Sequence, residues 1–243
     1  PLVCIGYCAV MLALAWLWFE KQPNATRGLM LMAAGGLNVG LFGFPIIEGL
    51  FGREGLLYAI MFDIGNMVIV FGVAYPLGKY FAPSNPQPLT PRLLLKKVAR
   101  LPPVMGMLAG LTVNLLDLPV HDTLFNALDV LAKGNKPLVL LLMGIYLSFE
   151  LERRQLALMG KVLLIRYVVG LCVVAGLYFL LPDDSLKRLV LMVCVALPMG
   201  MTILPFSDEM GYDSRTAGTL VNTSLLLSFG LMWLLVVLLG IPS

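Results

Sequence analysis

The residues Asn38-Val39-Gly40-Leu41-Phe42-Gly43-Phe44-Pro45-Ile46 decide how this chain folds. They lie inside an apolar run long enough to cross a bilayer as a helix, and they put two glycines and a proline in its middle. Proline has no N–H, and its ring displaces the carbonyl of the preceding turn, so a regular helix cannot run through Pro45. In hydrocarbon the freed backbone groups are costly unless they line a polar cavity or meet a neighbouring helix. A second stretch has the same build: Ala196-Leu197-Pro198-Met199-Gly200-Met201, followed by Pro205-Phe206 and then Gly211-Tyr212-Asp213.

Residues 29–45 align without gaps on residues 189–205, at an offset of 160. Leu29, Leu31, Met32, Leu37, Gly40 and Pro45 match Leu189, Leu191, Met192, Leu197, Gly200 and Pro205. Leucines match cheaply here, so the Gly40/Gly200 and Pro45/Pro205 pairs carry the weight. Glu48 and Asp208 share the register and are expected at opposite membrane surfaces. An odd number of crossings separates the two segments, so they should traverse the membrane in opposite directions. Broken helices in an inverted repeat mark the sites of many secondary transporters. Their half-helix N-termini carry partial positive charge, and their free carbonyls are negative, which suits an anion and a cation respectively. The plainer alternative is a pair of proline-kinked structural helices.

The whole chain supports a membrane setting. It has 243 residues, 59% apolar and 13% charged, with a mean hydropathy of +0.91. Soluble domains average roughly 45–50% apolar and about 25% charged, so a water-soluble globule is excluded, and disorder with it. The apolar runs are continuous and long, unlike the alternating segments of about ten residues in a β-barrel. A net charge of +3 gives no reason to expect nucleic acid. Cys4, Cys8, Cys172 and Cys194 all lie in apolar runs and read as small buried hydrophobes. No leader with a charged region and cleavage site is visible, and the start at Pro1 reads as that of a fragment.

Eight spans are predicted, over 2–19, 28–50, 55–81, 102–116, 122–150, 157–181, 186–208 and 215–240. Turn residues punctuate them at Gln22-Pro23-Asn24, Gly52-Arg53-Glu54, Pro83-Ser84-Asn85-Pro86 and Pro182-Asp183-Asp184. Placing the Lys/Arg-rich loop after the third span in the cytoplasm puts eleven basic residues inside against Arg53, Lys187 and Arg188 outside. Both termini are then expected outside. Residues 92–100 read as a short amphipathic helix on the inner surface.

The two breaks resemble the crossover motifs of the auxin efflux carrier family, which includes plant PIN carriers and bacterial malate and malonate permeases. The Asn38-x4-Gly43-x-Pro45 spacing, the Leu197-Pro198-x-Gly200 element and the run from Pro137 to Gly144 carry the resemblance, which extends over essentially the whole chain. It implies an all-α polytopic transporter of two inverted five-helix repeats with crossed broken helices, an architecture shared with bile-acid symporters. Scaffold helices one, two, six and seven would hold a transport domain of the other six. On that register the chain supplies eight of ten helices and lacks two scaffold helices, on the order of 60 residues. Residues 1–81 would be the first-repeat helices, 82–101 a cytoplasmic loop, 102–150 scaffold helices and 151–243 the second-repeat helices.

Residue by residue, Asn38 stands at the first break, where its amide could donate to a carboxylate; it matches the family's crossover asparagine. Gly40, Gly43 and Gly200 permit close helix crossing, and Pro45, Pro198 and Pro205 break the helices. Asp63 and Asn66 lie in the third span, where a carboxylate is expensive and should be neutral, paired or facing water; a coupling-ion role is weighed against a polar anchor. Asn222, Thr223 and Ser224 occupy the comparable region of the last span. Lys133, Asn135 and Lys136 interrupt the fifth span and could attract an anion, unless that span begins near Pro137. Arg166 is expected to snorkel to the inner surface. The lone histidine, His121, lies in a loop, and no metal cluster, Walker loop or catalytic dyad is present.

The expected function follows: not an enzyme, with no cofactor or metal, but a permease of small organic anions working by alternating access in a bacterial inner membrane. Its partners would be the substrate anion, the bilayer and a coupling proton, with sodium as the alternative; a homodimer through the scaffold is left open. A sodium-coupled symporter of the bile-acid fold and a non-transporting membrane sensor are the competing readings.

Overall fold

A computed structural model describes residues 1–84, 99–100, 102–145, 153–181 and 186–238. Among these the chain is helical, with one isolated antiparallel bridge, Leu37 to Met199, in place of any sheet. It divides into two compact units, Pro1–Gln87 with Tyr146–Ser243, and Pro88–Ile145.

The larger unit begins with α1 (Leu2–Trp18) and α2 (Asn24–Ala34), which stops at Gly35. After a short extended stretch comes a π-helical turn, Val39–Gly43, then α3 (Phe44–Ile69), a second π-helical turn, Val70–Ala74, and α4 (Tyr75–Tyr80). Both π turns have the same cause. Each ends just before an aromatic residue followed by proline, Phe44-Pro45 and Tyr75-Pro76. The aromatic residue donates its N–H five residues back, to Val39 O and Val70 O, and the proline that follows has no N–H to place. The expected kink at Pro45 is therefore a widened turn, and Pro76 makes another that the sequence reading did not single out. Gly52 turns α3 sharply, with φ 65° and ψ −163°, a conformation essentially confined to glycine. The loop expected at 52–54 is thus a one-residue corner between the second and third spans.

The same unit continues with α7 (Arg153–Leu180), α8 (Leu186–Val195), a non-helical stretch, α9 (Ile203–Met210) and α10 (Ser214–Leu238). Gly211 ends α9 in the left-handed conformation (φ 75°, ψ 27°) that helix C-termini favour. The smaller unit holds α5 (Pro102–Leu115) and α6 (Asp122–Ile145), with Pro137 inside α6. The helix of the expected fifth span thus starts at Asp122 and runs through Pro137.

Three described helical stretches are long and apolar enough to cross a membrane: Val39–Tyr80, Leu156–Leu180 and Ser214–Leu238; Leu2–Trp18 and Val104–Leu115 are shorter and apolar. Spans 28–50 and 186–208 are each split into half-helices, as their glycines and prolines demand. The expected surface helix at 92–100 and the loop at 182–184 fall largely or wholly outside the described residues. Cys4, Cys8 and Cys194 are buried in the core as expected, but Cys172 is exposed on α7. A stripe of Leu57, Met61, Ile64 and Val68 on α3 and of Leu226, Phe229 and Trp233 on α10 is left bare. These apolar faces suit lipid, and would be unfavourable in water.

Tight joints hold the larger unit together. Tyr212 slots between α2 and α4 and donates its hydroxyl to Gly78 O at 2.7 Å. A methyl group at Gly28 would lie within 2.8 Å of Phe81 Cβ and collide with the Tyr212 hydroxyl. Gly28→Ala should therefore lower the melting temperature in detergent, by an overpacking cost of about 1–3 kcal/mol. Gly176→Ala, where the added carbon meets nothing within 4 Å, should be neutral or mildly stabilising. Equal effects at both positions would contradict this packing.

Candidate functional site: the crossing of two broken helices

The backbone left non-helical at the two breaks pairs with itself. The extended residues after α2 meet those after α8 in antiparallel fashion: Asn38 N–H donates to Pro198 O at 2.9 Å, and Gly200 N–H to Gly36 O at 3.1 Å. The approach is close enough that a side-chain carbon at Gly200 would sit 3.4 Å from three backbone atoms of Gly36 and Leu37. Gly43 is held equally tightly, since a methyl there would lie 2.7 Å from Leu197 Cδ1. Pro198 cannot return a hydrogen bond to Asn38, so Asn38 O instead accepts Gly43 N–H at 3.1 Å and closes the π turn. Asn38 and Pro198, which the sequence repeat aligns, thus face each other at the centre of the crossing.

Each bridged residue is also gripped by a side chain from the following helix. Asn66 on α3 accepts Leu37 N–H at Oδ1 (2.9 Å) and donates Nδ2 to Leu37 O (3.0 Å), so its amide acts as a stand-in strand. Ser224 on α10 accepts Met199 N–H at 3.0 Å and passes its own hydroxyl proton to Val221 O at 2.9 Å. Tyr167 secures that segment by donating to Ser224 O at 2.7 Å.

Arg166 does not snorkel. It lies at the midpoint of α7, 1% exposed, and its guanidinium reaches the crossing. One terminal nitrogen donates to Gly36 O at 3.1 Å; the other donates to Leu197 O at 3.0 Å and Pro198 O at 2.9 Å. These carbonyls follow the C-termini of α2 and α8, the negative ends of two helix dipoles. No carboxylate pairs with it among the described residues. A second arginine departs from expectation too: Arg188 is buried, and donates to Tyr178 O and Leu181 O at the end of α7.

The opposite ends of the breaks line a cavity of about 180 Å³. Its polar lining comprises Asn38, Asp63, Asn66 and Thr202, with Gly40 and Gly200 contributing backbone and Val70 and Phe71 of the second π turn closing one wall. The Asn38 amide lines it without a hydrogen bond to any described residue. The backbone N–H groups of Met201 and Thr202, just before α9, likewise have no partner there. Asp63 is half-buried and accepts a hydrogen bond from Asn66 Nδ2 at 2.9 Å.

The structure therefore gathers Asn38, Gly40, Asp63, Asn66 and Gly200 around one cavity, with Gly43, Pro198 and Ser224 supporting it from behind. Pro45 starts α3 one turn beyond, and Pro205 is exposed on α9. Asn222 is half-buried on α10 and does not line this cavity. Lys133 belongs to the smaller unit, exposed and paired with Asp129 at 2.5 Å; nothing is described for the Lys136 side chain. Glu48 and Asp208 are both exposed. Arg166 and Thr202 were missed. The signal for Arg166 was available, since it stands thirteen residues after Arg153 in a helix of 28, and an ionisable residue at such depth marks function by default.

Two facing helix breaks around a polar cavity, carried by apolar helices, define a membrane-embedded protein of the transporter class. Comparison with known proteins agrees. A family described as membrane transport protein matches residues 1–236, and the chain belongs to it; this is the auxin efflux carrier type that the break motifs resemble. An uncharacterized transporter of Methanothermobacter thermautotrophicus is 25% identical over 233 residues, 94% of this chain and 74% of that protein. Another uncharacterized transporter, from Methanocaldococcus jannaschii, is 24% identical over 211 residues, 84% of this chain and 67% of its own.

The hydrogen bonds rank the supports. Asn66→Ala leaves both polar groups of Leu37 unpaired, whereas Ser224→Ala leaves only Met199 N–H, and each buried orphan costs about 1–3 kcal/mol. Thermal or denaturant unfolding in detergent should show the larger loss for Asn66→Ala. The reverse order would count against the arrangement.

Proposed function

We propose that this transporter is a secondary carrier of small organic anions, carboxylates in particular, working by alternating access. One observation carries the reading. The cavity is lined by unpaired donors at the positive ends of two half-helices, the Asn38 amide and the Met201 and Thr202 N–H groups, while the negative ends point to Arg166. A carboxylate fits that donor set, because anions are stabilised at helix N-termini. The volume of about 180 Å³ lies below the roughly 300–1,000 Å³ of drug-sized pockets, which favours a substrate of a few carbons.

Asp63 supplies the coupling step. An ionised carboxylate beside an anion site repels the substrate, and a protonated one does not, so one proton and one anion bind together. In this reading residues 1–81 and 151–243 carry the site and shift against scaffold helices at 102–150. The protein sits in a bacterial inner membrane with both termini outside. Coupling to sodium at Asp63 is the alternative that the same carboxylate supports.

A panel of mono- and dicarboxylates should contain members that raise the melting temperature of the purified protein and drive counterflow in proteoliposomes. A panel with neither effect overturns the reading. Asn38→Ala should abolish uptake with expression intact. Asp63→Asn should keep counterflow but lose the dependence of net uptake on a pH gradient; a dependence on sodium that disappears instead would favour the alternative.

A further inference from the structure

We propose that Arg166 is a tethered cation, holding at the crossing the place that a bound metal cation would otherwise take. The proposal rests on the carrier reading only for its interest, since its chemistry stands on the crossing itself. Broken helices in a membrane leave carbonyl oxygens that commonly ligate a coupling cation. Here the carbonyls of Gly36, Leu197 and Pro198 converge from both breaks, within 3.1 Å of one guanidinium. Three inward-facing carbonyls at the C-terminal ends of two helices form a site of negative potential with no water to screen it. A positive charge is needed to hold the two chains together there, and the Arg166 guanidinium supplies it with a donor to each chain.

The burial of Arg166 supports the assignment. A side chain 1% exposed, with no carboxylate partner among the described residues, would be strongly destabilising if its charge were not answered. Its answer is the carbonyl set itself, which is how a protein binds a metal ion. Because Arg166 takes these carbonyl ligands, the crossing should need no sodium for its integrity. Arg166 is thus a positioning residue, and it divides the two breaks into a cation end that is permanently filled and an anion end that is open.

The test uses thermal unfolding of the purified protein in detergent, with no transport substrate. The Asp63→Asn protein, in which the other candidate sodium ligand is removed, should melt at the same temperature in sodium chloride and in choline chloride of equal ionic strength, and the Arg166 variants are compared in that background. Arg166→Ser, which removes the charge and leaves room for an ion, should melt lower in choline, and sodium or methylguanidinium should restore it in a dose-dependent way. Arg166→Met, which fills the space without charge, should melt lower and respond to neither. Arg166→Lys should keep most of the stability. Sodium stabilisation of the Asp63→Asn parent relative to choline would overturn the proposal, as would an Arg166→Met variant as stable as that parent or a folded Arg166→Ser variant that neither cation restores. If Arg166→Ser gives no folded protein, equal losses in the Lys and Met variants would overturn it and retention by Lys alone would support it. Failure of every carboxylate to bind would sink the carrier reading while leaving these outcomes unchanged.

Discussion

A backbone group that loses its helical partner inside hydrocarbon must find another, and the centre of this protein is the solution to that constraint. Helix α2 stops at Gly35 and α8 stops just short of Pro198, where water cannot substitute. The interrupted chains satisfy each other at Asn38–Pro198 and Gly200–Gly36, and borrow side chains where they cannot. The glycines fit the same demand, since a side-chain carbon at Gly200 would already touch the backbone of Gly36 and Leu37 at 3.4 Å, and one at Gly36 would press on the Val70 side chain at 3.1 Å. Asn66 on α3 and Ser224 on α10 then complete the pairing of Leu37 and Met199. The two halves meet the requirement with different chemistry: a bidentate amide on one side, and a hydroxyl relay steadied by Tyr167 on the other.

The pairing also sorts charge. Helices α2 and α8 end at the crossing, and their carbonyl ends face Arg166. The chain resumes as helix at Val39 and Ile203, and the donors that precede or open these segments line the cavity. Negative ends and positive ends therefore lie on different sides of one short bridge. A carboxylate at Asp63 stands on the donor side, held by Asn66, the same residue that grips Leu37. The residue that orders the break thus also orders the acid.

How much of this the sequence revealed follows from the range of each interaction. The apolar runs, the Gly/Pro-rich stretch that ends at Pro45 and the alignment of Asn38 with Pro198 are local patterns, and the half-helices and most of the cavity lining were legible in them. The one-residue corner at Gly52 and the π turn before Pro76 are local too, yet a proline in a long apolar run says only that something must give, not that the turn widens. Arg166 was misplaced because composition treats a long basic side chain as able to reach a surface from almost any depth, while only the fold shows carbonyls nearer than the surface. Asn222 and Ser224 are two residues apart on α10, so they point in different directions; the sequence offered both, and only Ser224 meets a freed N–H. Lys133 looked intramembrane by position, but it pairs with Asp129 one turn earlier on α6.

The density of these bonds bears on how such a site could be exposed alternately to two sides. Opening the cavity by parting the two breaks would separate Asn38 from Pro198 and Gly200 from Gly36, and would strip Arg166 of carbonyls on one side. Each lost bond is worth about 4–6 kcal/mol in an apolar medium, where water does not replace it. Several such losses together exceed what the binding of a small anion could return, since micromolar affinity corresponds to about 8 kcal/mol. Moving the crossing as one body breaks none of them; it exchanges apolar surface against apolar surface, which costs little in lipid. In the carrier reading proposed above, the network that makes the breaks tolerable in a membrane therefore favours the unit that contains them as the moving part.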